Sequence, residues 1–107
     1  MSSVRERIRF LTVDGWNFTY SIQSGHISLT AKKIDSRFFN MPGVWGNSHT
    51  VSSGIHIEKV INEPGEFDKF LSKFIEKVEK EDGKIKEFFY NFDRLNDYLE
   101  LVGFKKK

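Results

Sequence analysis

The 107-residue sequence predicts an α+β domain: an antiparallel β-meander of about four strands over residues 4–61, then one or two amphipathic helices over 64–103 packed on one face. Three observations carry this. Apolar and polar residues alternate with period two in the first half, Asp-Gly and Ser-Gly pairs punctuate that alternation, and apolar residues recur at helical spacing in the second half.

Val4, Ile8 and Phe10 alternate with Arg5, Arg7 and Arg9, which predicts a first, half-buried strand. Asp14-Gly15 reads as a two-residue hairpin turn, because both positions tolerate positive φ. Trp16, Phe18, Tyr20 and Ile22 then alternate with Asn17, Thr19, Ser21 and Gln23, the clearest strand of the chain. After Ser24-Gly25, Ile27, Leu29 and Ala31 alternate with His26, Ser28, Thr30 and Lys32 in a third strand. Residues 35–54 hold no sustained period and read as a long loop pinned by Phe38, Phe39 and Trp45. Ile55, Ile57 and Ile61 mark a fourth strand.

Asn62-Glu63-Pro64-Gly65-Glu66 marks a helix start, since proline suits the first turn and acidic residues suit its dipole. Phe67, Phe70, Leu71, Phe74, Ile75 and Val78 form one apolar stripe, and Ile85, Phe88, Phe89, Phe92, Leu95, Leu99 and Val102 form a second. Glu81-Asp82-Gly83-Lys84 favours a turn joining a helical hairpin. The competing pattern is a heptad seam, Leu71, Phe74, Val78, Glu81, Ile85, Phe88, Phe92, Leu95, Leu99 and Val102, whose steps of three and four never slip. A single helix over 64–102 would be about 58 Å long at 1.5 Å per residue, too long for one small sheet to cover, and would call for a second chain.

The composition places the chain as one domain. Cysteine is absent, which excludes disulfides, thiolate metal sites and a cysteine nucleophile. The first residues carry no signal-like apolar run and no segment has membrane-spanning length, so a cytoplasmic protein with no membrane partner is expected. Net charge is only +2, but residues 1–61 carry 7 basic and 4 acidic side chains, against 10 and 11 in residues 62–107.

Chemical motifs are scarce. His26, His49 and His56 show no metal-ligand spacing, and Gly43-Val44-Trp45-Gly46 lacks the lysine and flanking elements of a phosphate loop. Neither catalytic residues, a metal nor a cofactor is expected. The most suggestive feature is the outward set of the sheet, where Arg5, Arg7, Arg9 and Lys32 join hydroxyls and amides without a carboxylate. Such a face can track phosphates, and Trp45 can stack on a base. At the level of element order, residues 4–80 resemble single-strand nucleic-acid-binding domains of the Whirly and PUR kind, a likeness of pattern that assigns no residue. The expected function is therefore a non-enzymatic module binding single-stranded nucleic acid through Arg5, Arg7, Arg9, Lys32 and Trp45. The rival is a small protein-interaction regulator or inhibitor acting through the 35–54 loop or the helical aromatic seam. Self-association, as a homodimer, is expected whether the helical part is a hairpin or continuous.

Overall fold

A computed structural model describes residues 3–42 and 46–107. The chain runs α1 (Val4–Val13), β1 (Trp16–Gln23), β2 (His26–Ile34), a 3-10 helix (Ser36–Asn40), β3 (Ser48–His56), α2 (Ile57–Asn62) and α3 (Pro64–Leu101). The sheet is antiparallel in the order β1-β2-β3, so the α+β meander followed by helix is present with three strands.

The first predicted strand is a helix. Ser3 caps α1, its hydroxyl accepting from the Glu6 N–H at 3.2 Å, and Ser3-Val4-Arg5-Glu6 is the sequence of a capping box. Val4, Ile8 and Leu11 fall at positions i, i+4 and i+7, and Leu11 enters the core. The four-residue step from Val4 to Ile8 fits either period, and the cap with strong helix formers decides it. Asp14-Gly15 accordingly ends this helix instead of turning a hairpin: Gly15 adopts φ +104, and its N–H reaches the Thr12 carbonyl at 3.0 Å. With α1 leading, the element-order likeness to Whirly and PUR domains does not hold.

The β1–β2 hairpin keeps the predicted alternation. Its turn, Ser24 (φ 50) and Gly25 (φ 77), pairs Gln23 with His26 and Trp16 with Lys33. Directly opposed residues share a face, so Trp16, Phe18, Ala31, Leu29 and Val51 point inward, while Asn17, Thr19, Thr30 and Ser52 point outward.

More than half of the predicted 35–54 loop is regular. Asp35 caps the 3-10 helix by accepting from the Arg37 N–H at 2.9 Å, Phe38 is fully buried, and β3 pairs with β2 from Ser48↔Ile34 to His56↔His26. This strand escapes the period test because His49 and Ser53 occupy inward positions beside Val51. The predicted fourth strand divides: Ile55 lies in β3, which ends at His56, and Ile57 opens α2. Residues 43–45, including Trp45, lie outside the described residues.

The favoured helical hairpin is also corrected: α3 is one helix of 38 residues, about 57 Å long. It runs through Asp82-Gly83 because Asp82 is a core acceptor on its buried face, only 6% exposed, and Gly83 faces open space. Phe74, Ile75, Val78, Ile85 and Phe89 pack with Leu11, Trp16, Ala31, Phe38 and Val51 in a single core. Of the helix residues expected against the sheet, Phe74 and Val78 are buried, and Phe67 and Phe70 only half-buried. A nine-residue strand covers about 30 Å, so α3 outruns the sheet and the molecule measures 64 × 33 × 18 Å.

Candidate interaction surfaces

The four described residues of the predicted site do not share one face. Arg5 and Arg9 are exposed on α1, one helical turn apart. Arg7 turns to α3 and forms a salt bridge with Glu79, whose hydrogen bond raises the Arg7 pKa above its ordinary value. Lys32 stands on the outward face of β2, opposite Asn17 and Thr50, whereas α1 packs through Leu11 on the inward side. The alternating arginine track along a strand is therefore absent. What persists is the polarity of the outer face: Asn17–Lys32–Thr50, Thr19–Thr30–Ser52 and Gln23–His26–His56 form rows across three strands, none of which holds a carboxylate.

The densest group of charges lies beneath Trp16 and was not visible in sequence. Asp82 Oδ1 accepts from Trp16 Nε1 at 2.9 Å and lies 3.6 Å from Lys33 Nζ, while Oδ2 meets Lys86 Nζ at 3.0 Å. Lys86 also reaches Asp14 at 2.8 Å, tying the end of α1 to α3. Burial works to raise the Asp82 pKa, but the bonds from Trp16 and Lys86 and the fields of Lys86 and Lys33 overcome it, leaving the carboxyl below its ordinary value. Lys86 is correspondingly raised by its bonds to Asp14 and Asp82. The preceding residue, Glu81, lies 3.2 Å from His49 Nε2. Each oxygen of Asp82 is engaged, so the cluster latches helix to sheet and leaves no free base or nucleophile there. The missed signal was the inward register of Lys33, directly opposite Trp16.

Coverage of α3 ends near Phe89, whose ring stacks on Phe38 at 5.6 Å and lies under Arg37 at 3.9 Å. Beyond it, the seam continues with no sheet to meet it. Phe88 and Phe92 stack on each other at 5.9 Å, and Leu95, Leu99 and Val102 are 54%, 36% and 50% exposed. The end is firmly built: the Gly103 N–H donates to the Glu100 carbonyl at 3.1 Å and the Phe104 N–H to that of Leu99 at 2.9 Å. With Gly103 at φ +107 this is a Schellman motif.

Among the described residues no helix is long and apolar enough to cross a membrane, and no group of three metal-ligating side chains occurs. No family model, curated protein or solved structure matches the chain.

Proposed function

We propose that the chain is a non-enzymatic protein-interaction module, a small regulator that works through the last third of α3, and that the segment it pairs with is the same segment of a second copy. The observation that carries this reading is the uncovered continuation of the seam beyond Phe89. A lone helix of about 12–15 residues is marginal in water, and α3 extends 12 residues past Phe89, from Tyr90 to Leu101. Packing of its apolar stripe is what ordinarily stabilises such a stretch. The steps Phe92, Leu95, Leu99 and Val102 are those of a and d positions, which a helix with the same steps fills knob into hole.

Charge selects the orientation. The tail ends Lys105-Lys106-Lys107, and Glu87 lies as far before the midpoint of Leu95 and Leu99 as Lys107 lies after it. A parallel pair would set two lysine tails side by side. An antiparallel pair that places Leu95 opposite Leu99 and Phe92 opposite Val102 sets each tail beside Glu87 of the other copy. Sedimentation equilibrium tests the reading: a concentration-dependent dimer is expected, reduced to monomer by Leu95→Asp with Leu99→Asp, while the near-ultraviolet dichroism of buried Trp16 is kept. A wild-type chain that stays monomeric at the highest attainable concentration overturns it.

The carboxylate-free outer sheet face favours a second reading, binding of single-stranded nucleic acid with Lys32 as its central cation. Phosphate contacts make affinity fall steeply with salt, by about 0.9 log units per log unit of salt for each contact on duplex and about 0.7 on single strands. Oligonucleotide binding with such a slope, weakened by Lys32→Ala, is the expected result. Absence of binding at low salt removes this reading.

A further inference from the structure

At the turn end of the outer face, the register sets His26 directly opposite His56. Their rings lie 4.1 Å apart between centroids, tilted by 45°, and both residues are exposed. His26 Nδ1 lies 3.2 Å from the Ser24 carbonyl oxygen. That oxygen can only accept, so the contact is a hydrogen bond in the tautomer with the proton on Nδ1, which leaves the Nε2 lone pair available to a metal. Metal-binding histidines are held in this way, the second ring nitrogen donating to a carbonyl or carboxylate.

The backbone beneath both rings is also fixed. Ser24 and Gly25 form the tight turn, and the Ile57 N–H, one residue past His56, donates to the Gly25 carbonyl at 2.8 Å. His49, by contrast, is committed to Glu81.

We propose that His26 and His56 form a two-imidazole chelate for a borderline divalent cation, Zn²⁺, Ni²⁺ or Cu²⁺. Side chains directly opposed across strands have Cβ atoms about 4.5–5.5 Å apart. Two nitrogens bound tetrahedrally to one Zn²⁺ at about 2.05 Å lie about 3.3 Å from each other, a separation that rotation of these two rings can meet. Imidazole suits these three metals and is a poor ligand for Mg²⁺ or Ca²⁺. No third His, Cys, Asp or Glu joins the pair among the described residues, so water completes the shell. Two protein ligands are fewer than the four of a structural zinc site or the three of a catalytic one, so the bound ion is expected to be exchangeable.

Calorimetric titration of the full chain, free of any histidine tag, with NiCl₂ and with ZnCl₂ tests the proposal. One ion per chain is expected. Removing either ligand turns a bivalent contact into a monovalent one, which costs about 100-fold or more in affinity, so His26→Ala and His56→Ala should each show that loss, and His49→Gln should not. In a ¹⁵N spectrum, Zn²⁺ should shift the ring nitrogens of His26 and His56 together. No saturable binding, binding that survives either alanine substitution, or a zinc shift confined to one ring overturns the proposal.

Discussion

The indole N–H of Trp16 donates to the carboxylate of Asp82 at 2.9 Å across the sheet–helix interface. Trp16 is 1% exposed and Asp82 6%, and Lys33, inward beside Trp16, shares the same carboxylate. Replacing Asp82 with Ala leaves a buried N–H without an acceptor and Lys33 without its counter-charge. Breaking a buried pair in this way costs about 3–5 kcal/mol, read as a lower urea midpoint. Because the two groups touch, Trp16→Phe should cost less in the Asp82→Ala background than in the wild type, by about 0.5–3 kcal/mol. Additive losses would show that the bond contributes nothing.

Acid should unfold the protein partly through the same carboxyl. Asp82 is held below its ordinary pKa, and so is Asp35, mainly by its bond from Arg37. Between the folded and unfolded pKa values the unfolded chain binds more protons, so stability rises with pH across that interval. It is fully present above the unfolded aspartate value of about 3.9 and is lost as pH falls through the depressed folded values. The urea midpoint should therefore decline as pH falls below about 4, and Asp82→Asn should flatten the decline. A variant with the wild-type acid profile would place the sensitive groups elsewhere.

Gly83 offers a direct test of helix continuity. A Cβ there meets nothing within 4 Å, and its φ is not positive. In a continuous helix Gly83→Ala should stabilise by about 0.5–1 kcal/mol, because glycine loses more backbone freedom on folding. In a turn that needs a left-handed glycine the same change would destabilise. A raised thermal midpoint is the expected result.

These residues also show what was legible in the sequence. Trp16 to Gln23 was readable because one face of β1 is buried and the other wet, which is what alternation reports. Val4 to Val13 reads as a strand because Val4 and Ile8 fit both periods; Leu11 and the Ser3–Glu6 cap hold the deciding information. Ser48 to Ser53 was silent, since an edge strand that contributes only Val51 to the core has no apolar rhythm. Asp82-Gly83 looked like a turn because dipeptide preference is local, whereas the partner that keeps Asp82 inside the helix stands 66 residues away. For the interaction surface, the distal seam was visible as a heptad. The His26–His56 pair was not, because strand register, unlike helix spacing, cannot be counted along the chain.

The absence of cysteine allows the orientation of the proposed pair to be read by cross-linking. In an antiparallel pair with Phe92 opposite Val102, Leu95 of one copy lies beside Leu99 of the other, and neither lies beside itself. Mixing Leu95→Cys with Leu99→Cys chains and oxidising gently should then yield chiefly the mixed disulfide, since bridging needs Cβ atoms about 3.5–4.5 Å apart. A parallel pair would instead align each position with its own copy and give the two homodisulfides. High salt should weaken the antiparallel pair, because the Lys105–Lys107 tail loses its attraction to Glu87, and reversing the three lysines to glutamate should weaken it further. Dominant homodisulfides, or association indifferent to that reversal, would exclude the antiparallel arrangement while leaving the seam as the contact.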